Sequence, residues 1–128
     1  MNREKLRQIG YWSCTGLIAL WLVPSGILDI LRTQAVVDIL HHLGYAAYVG
    51  VILGVGKLLA VTAILYPKTR LLREWAYAGI SFDLTGAIVS HLSVHDPFRI
   101  VIVPALALAL AAASYVLRSP RLRLHPAS

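Results

Sequence analysis

Residues 45–66 read YAAYVGVILGVGKLLAVTAILY, an apolar stretch with a single charged residue, Lys57, near its middle. An α-helix needs about 20 apolar residues in a row to cross the ~30 Å hydrocarbon core of a bilayer. This stretch therefore predicts a membrane-spanning helix. A charge at the centre of such a helix costs about 2.5–3.5 kcal/mol on insertion scales, so Lys57 is expected to have either a partner or a function.

Comparable apolar stretches lie on both sides of this one. The predicted spans are residues 10–31, 45–66, 74–93 and 98–117. The chain of 128 residues is 58% hydrophobic and only 14% charged, which leaves little for a separate soluble domain. We predict an all-α, four-transmembrane-helix bundle that forms a single integral membrane domain over residues 1–128, with a short basic tail at 119–128. Apolar residues on one face of 33–44 predict a short amphipathic helix on the outer surface, between spans one and two.

The net charge of +6 follows the predicted topology and does not indicate nucleic-acid binding. If both termini share one side of the bilayer, nine basic residues lie on that side: Arg3, Lys5, Arg7, Lys68, Arg70, Arg73, Arg118, Arg121 and Arg123. The other side then holds Arg32 and Arg99. By the positive-inside rule, both termini are predicted to be cytoplasmic, in a multi-pass protein of the inner membrane.

A second charge, Asp83, lies in the middle of span three. Lys57 comes nine residues before Tyr66, and Asp83 comes eight residues after Trp75. At a rise of about 1.5 Å per residue, both lie roughly 12–14 Å from the same ends of two helices that a short loop joins. This spacing predicts a direct or water-bridged ion pair between Lys57 and Asp83. The pair either clamps the two helices together or exchanges a proton with something bound in an intramembrane pocket.

Small residues accompany both charges. Gly50 and Gly54 form a GxxxG pair ahead of Lys57, which predicts close approach of another helix, chiefly within the bundle. In span three, one narrow helical face carries Gly79, Asp83, Gly86 and Ser90. This pattern predicts that both charges lie where helices pack closely.

A further polar group is predicted at the outer face. It comprises Asp29, Asp38, His41, His42, His91, His95 and Asp96. Asp29 follows a kink expected at Pro24, and His91 lies about two turns beyond Asp83, as a candidate proton relay at the mouth of the pocket. His41, His91 and Asp29 could be combined into a metal site, but no HExxH motif occurs, and no metal ligand is assigned. The candidate catalytic residues are Lys57, Asp83 and His91, and the candidate binding residues are Asp29, Ser90, Gly54, Gly86 and His41.

Several segments together resemble one family. They are His42-Leu-Gly-Tyr45, VILGVGKLLA at 51–60, LREWAYAGISFDLTGA at 72–87 and Ser90-His91-Leu92. Over about residues 10–117 the chain resembles the DoxX-like family of small bacterial membrane proteins. The resemblance implies a four-helix integral membrane fold and matches the family's pattern at Lys57, Glu74, Asp83 and His91. The family takes its name from a subunit of a thiosulfate:quinone oxidoreductase, and some of its members are linked to oxidative-stress complexes.

No cofactor motif is evident in the sequence, so a redox role would require a quinone, another lipophilic ligand or a partner subunit. Our first hypothesis is a small inner-membrane subunit, or a lipophilic or quinone-type ligand-binding component, of a larger assembly. Its partners would be the lipid bilayer and either further copies of the chain or another membrane protein. The alternative is a stand-alone intramembrane enzyme performing acid–base chemistry, such as isomerisation or epoxide opening, on a hydrophobic substrate. A third hypothesis is a solute or proton carrier.

Overall fold

The computed structural model describes residues 2–66 and 70–119, and within them all regular secondary structure is α-helical. The helices are α1 (Arg3–Leu31), α2 (Gln34–His42), α3 (Tyr48–Leu65), α4 (Arg70–Ser93) and α5 (Phe98–Leu117). The all-α prediction is confirmed, as is the short helix between spans one and two. The predicted tail beyond Ser119, together with Lys68, lies outside the described residues.

Three of these helices, α1, α3 and α5, are long and apolar enough to cross a membrane. Helix α4 has 24 residues, which is a sufficient length, but it contains Arg70, Arg73, Glu74 and Asp83. It also carries serine, threonine and histidine side chains, and by composition it is not among the candidate spans. The structure thus supports three of the four predicted spans, and the crossing by α4 stays a prediction.

The helix ends differ from the predicted boundaries for local reasons. Helix α1 begins at Arg3 rather than at residue 10, because the Asn2 side chain accepts a hydrogen bond from the Lys5 amide at 2.8 Å and caps the first turn. Pro24 lies inside α1 without ending it. Gly44 follows the end of α2 with a φ of +90°, the left-handed conformation that glycine adopts most readily.

The four long helices form a closed ring. Helix α1 packs against α3 and α5, and α4 packs against the same two helices from the opposite side. All four contribute to one apolar core, made of Ile18, Leu22, Val61, Ile64, Ala76, Tyr77, Ile80, Leu84, Ala107 and Ala111. Inside the ring, hydrogen bonds between buried polar side chains join three helices. Ser114 of α5 bonds to Thr15 of α1 at 2.6 Å and to Tyr77 of α4 at 2.7 Å.

Helices α1 and α3 approach each other through glycines. A Cβ atom added to Gly54 would lie 2.5 Å from the Gly26 carbonyl oxygen, and one added to Gly50 would lie 3.0 Å from the Asp29 carbonyl oxygen. The predicted role of the GxxxG pair in packing within the bundle is confirmed. In contrast, a Cβ atom at Gly79 or Gly86 would meet nothing within 4 Å. The prediction that the glycine face of span three packs closely against another helix is wrong.

Candidate functional site

Lys57 of α3 is held by two side chains of α1. Its ammonium donates a hydrogen bond to Asp29 Oδ2 at 2.7 Å and to Ser25 Oγ at 2.8 Å. The Lys57 and Asp29 side chains are only 11% and 13% exposed, so the ion pair is largely buried. The Lys57 Nζ also lies 5.6 Å from the centre of the Trp21 ring, within the range of a cation–π contact.

The predicted ion pair between Lys57 and Asp83 is wrong in its direct form, because Asp29 takes the place of Asp83 as the bonded partner of Lys57. The water-bridged form stays a prediction. The reason is the close approach of α1 and α3 at Gly26 and Gly54, which brings the last turns of α1 beside Lys57. The equal depths of Lys57 and Asp83 on adjacent helices do not decide which neighbour a long lysine side chain reaches. Asp29, which the sequence marks only as a candidate binding residue, is the true partner.

Asp83 lies close to the Lys57–Asp29 ion pair but is not part of it. It is near enough to Lys57 and Asp29 for both charges to act on it. Its carboxylate makes no hydrogen bond or ion pair with any side chain of residues 2–66 and 70–119. Asp83 is also only partly buried. Three charged side chains therefore lie in one region. Two of them form the Lys57–Asp29 ion pair, and the third is the Asp83 carboxylate.

Lys57 and Asp83 both line a groove of about 550 Å³ between α3 and α4. Its walls run from Ile52 to Tyr66 along α3 and from Leu72 to Asp83 along α4, and most of the lining side chains are apolar. The two helices leave this space because Gly56 and Gly79 line it without side chains of their own. The glycine face of α4 thus borders a groove.

His91 belongs to a second cluster near the ends of α2 and α4. Its Nδ1–H donates to Asp96 Oδ2 at 2.6 Å, and His42 Nε2–H donates to Asp96 Oδ1 at 2.7 Å. These hydrogen bonds, first from His91 and then from His42, hold the pKa of Asp96 below its ordinary value. Beside them, Tyr45 bonds to Ser90 at 2.7 Å. These contacts fasten the end of α2 and the segment after it to the end of α4.

The structure therefore separates residues that the sequence assigned to one site. Asp29, Lys57 and Asp83 come together, whereas His91 and Ser90 lie in the Asp96 cluster and do not line the groove. Gly54 packs against α1, Gly86 is exposed, and His41 lies exposed on α2. Within the described part of the chain, no three His, Cys, Asp or Glu side chains are arranged to hold a metal ion.

Glu74, one of the residues that match the family's pattern, lies at the end of the bundle opposite to the Asp96 cluster. It accepts hydrogen bonds from Arg118 at 3.1 Å and from the Tyr115 hydroxyl at 2.7 Å. The neighbouring Arg73 is buried and donates to the Ile64 and Tyr66 carbonyls at the end of α3. Cations at a helix C-terminus are favourable to its dipole, so Arg73 stabilises the end of α3. Glu74 joins the start of α4 to the end of α5.

Several residues of the site escape prediction from sequence. Ser25 gives no signal beyond its place after Pro24, and Trp21 reads as an ordinary apolar residue of a span. Gly56 lies one residue before Lys57 and faces the groove, on the side away from the Gly50 and Gly54 contact. A helical projection of α3 separates these two glycine faces but does not show which of them packs against a neighbouring helix.

A ring of apolar helices with charges buried at mid-length defines a small helical-bundle membrane protein. The model of the DoxX-like family matches residues 13–114, which is most of the chain. The protein therefore belongs to the DoxX-like family, as its segments around Lys57 and Asp83 indicate. Searches of curated proteins and of solved structures each returned no match.

Proposed function

We propose that this protein is a multi-pass component of the inner membrane that holds a lipophilic ligand in the groove between α3 and α4, as part of a larger membrane assembly. The observation that carries the proposal is the groove itself. The groove has a volume of about 550 Å³ and a mostly apolar wall that includes Lys57 and Asp83. Ligand sites typically combine many apolar contacts with a few polar groups in this way. A quinone or another apolar molecule with a polar head fits this description.

The proposed topology has four crossings and cytoplasmic termini. It is supported by the chain's own contacts, because Arg7 near the N-terminus donates to the Arg118 carbonyl at 3.0 Å and Arg118 pairs with Glu74 at the start of α4. Arg7 of α1, Glu74 of α4 and Arg118 after α5 thus gather at one end of the ring. An anionic inner leaflet would attract that end.

Membership of an assembly is supported by the outward faces of the helices. Phe82 of α4 is 81% exposed and Leu20 of α1 is 71% exposed. Such faces need lipid or a neighbouring subunit. A homo-oligomer and a complex with another membrane protein both fit.

Native mass spectrometry after gentle extraction tests both parts of the proposal. The wild-type protein should carry a co-purifying lipophilic adduct, and it should appear with further copies or a partner. Gly79→Leu should lose the adduct because the new side chain enters the groove. Gly86→Leu is the matched control, since Gly86 has equally open surroundings on the same helix but does not line the groove. Equal adduct loss in both variants, or a bare monomer throughout, would contradict the proposal.

The enzyme alternative is favoured by one further observation, the unpartnered Asp83 beside the fixed Lys57 ammonium. On a β,γ-unsaturated ketone, Asp83 would remove an α proton, Lys57 would stabilise the enolate oxygen, and Asp83 would return the proton at the γ carbon. A long-chain ketone of this kind, incubated with the protein in nanodiscs in D2O, should be isomerised with deuterium incorporation. Exchange no faster than with Asp83→Asn would exclude this activity.

A further inference from the structure

The two ends of the groove have different chemistry. Tyr66 and Trp75 line the end at which α3 finishes and α4 begins, and Lys57 and Asp83 lie further along the groove. At about 1.5 Å per residue, Lys57 is about 13 Å from Tyr66, and Asp83 is about 12 Å from Trp75. In a hydrocarbon core of about 30 Å, this places the charged end close to the middle of the bilayer.

At the charged end of the groove, one hydrogen-bond donor and one hydrogen-bond acceptor are available to a ligand. A lysine ammonium has three N–H groups, and Lys57 uses two of them on Asp29 and Ser25, which leaves one for a ligand. Asp83 accepts no hydrogen bond from the described side chains, so its carboxylate oxygens are also open. A ligand head that both accepts from Lys57 and donates to Asp83 would satisfy the two groups together.

The charges around the place where the ligand head would lie, between Lys57 and Asp83, disfavour ionised heads. Asp29 and Asp83 flank a single cation, Lys57, so a carboxylate or phosphate head would meet an excess of negative charge. An ammonium head could donate to Asp83 but could not accept from Lys57, and it would be repelled by it. Any ionised head would also have to be carried to the middle of the bilayer, which is unfavourable.

From this geometry we infer that the groove takes a neutral amphiphile with a hydroxyl head, bound with that head between Lys57 and Asp83 and its apolar body directed toward Tyr66 and Trp75. A hydroxyl is the smallest group that is both donor and acceptor. A long-chain, isoprenoid or ring alcohol belongs to this class, and a quinol does as well. The orientation is opposite to that of a phospholipid, whose head stays at the membrane surface. This inference rests on the proposed ligand-binding function and specifies its ligand class.

Photo-crosslinking in nanodiscs tests the orientation. Two dodecanol probes would be used, one with a diazirine beside the hydroxyl and one with a diazirine at the far end of the chain. The first should label the stretch around Leu53 and Ile80, and the second should label around Tyr66 and Trp75, as located by peptide mass spectrometry. The reversed order would overturn the inference and leave the proposed function standing. Absence of labelling from the whole groove would overturn both.

Competition against this labelling tests the head. Unlabelled dodecanol should compete best, methyl decyl ketone less well, and dodecanoate and dodecylammonium least. Asp83→Leu should weaken competition by dodecanol about tenfold, the effect of losing one hydrogen bond to a charged group, while competition by the ketone stays unchanged. Because Asp83 has no hydrogen bond or ion pair with the side chains that the structure describes, this variant is expected to fold, and its thermal melting would be checked. Equal loss for the alcohol and the ketone, or stronger competition by either ionised head, would overturn the inference.

Discussion

At the scale of single residues, Lys57 shows what a sequence does and does not determine. Its position in the centre of an apolar stretch correctly indicates a residue that needs a partner. The choice between Asp29 and Asp83 depends on how closely α1 and α3 approach, and that distance is set by contacts between residues far apart in the chain. Pro24 and Asp29 are visible in the sequence, but only the packed bundle shows that Ser25 and Asp29 face Lys57.

The first prediction concerns this buried pair. Asp29→Leu leaves the Lys57 ammonium without its carboxylate, so the free energy of unfolding should fall by about 3–5 kcal/mol. The double variant Asp29→Leu with Lys57→Met removes both charges and should be much closer to wild type. Thermal unfolding of the purified proteins in one detergent measures both. If the double variant is as unstable as the single one, the ion pair is not what Asp29 contributes.

At the scale of helices, the two glycine faces of α3 behave differently although they look alike in sequence. Gly50 and Gly54 permit close contact with α1, whereas Gly56 leaves space toward α4. A small residue on a helix therefore predicts either a close approach or a cavity. Only the position of the neighbouring helix decides between them, and this is why the groove could not be predicted although the helices themselves could.

The second prediction separates these two uses of glycine. Gly54→Ala places a methyl group 2.5 Å from the Gly26 carbonyl oxygen, and that carbonyl belongs to backbone that cannot rotate away. The free energy of unfolding should fall by about 1–3 kcal/mol, the usual effect of overpacking. Gly16→Ala is the control, because its methyl group meets nothing within 4 Å and alanine favours the helix. Comparable melting temperatures for the two variants would show that the α1–α3 contact is looser than described.

The third prediction concerns the contact between the end of α4 and the segment after α2. Because hydrogen bonds from His91 and His42 lower the pKa of Asp96 in the folded protein, ionised Asp96 stabilises the fold. That contribution is complete above the ordinary aspartate pKa of about 4 and disappears as the pH falls through the lowered folded value. Asp96→Asn should therefore melt below wild type at about pH 6, and the difference should shrink toward about pH 3.

A suitable control for this experiment is Asp38→Asn. Among the described residues, Asp38 bonds only to Gln34 of its own helix, at an exposed position, so its replacement should change the melting temperature little at any of these pH values. A difference between Asp96→Asn and wild type that persists unchanged into acid would mean that the carboxylate charge does not stabilise the contact.

At the scale of the whole molecule, the apolar content and the spacing of the charges were sufficient to predict an all-helical bundle, and the bounds of α5 agree with the predicted 98–117. Helix α4 is the exception that matters, since its composition leaves it outside the candidate spans. Inside the ring, however, Arg73 caps α3, Glu74 pairs with Arg118 and Asp83 borders the groove. Three of the charged residues of α4 are therefore bound to other helices or placed at the site.

The fourth prediction follows from that reasoning, because a crossing by α4 puts Arg3 and Arg99 on opposite sides of the membrane. In a Cys14→Ala background, Arg99→Cys should react with a membrane-impermeant maleimide in cells whose outer barrier has been opened. Arg3→Cys should react only after the inner membrane is also permeabilised. If α4 did not cross, the start of α5 would lie on the cytoplasmic side, and Arg99→Cys would be protected to the same degree as Arg3→Cys. The positive-inside rule and the gathering of Arg7, Glu74 and Arg118 at one end of the ring both favour the first result.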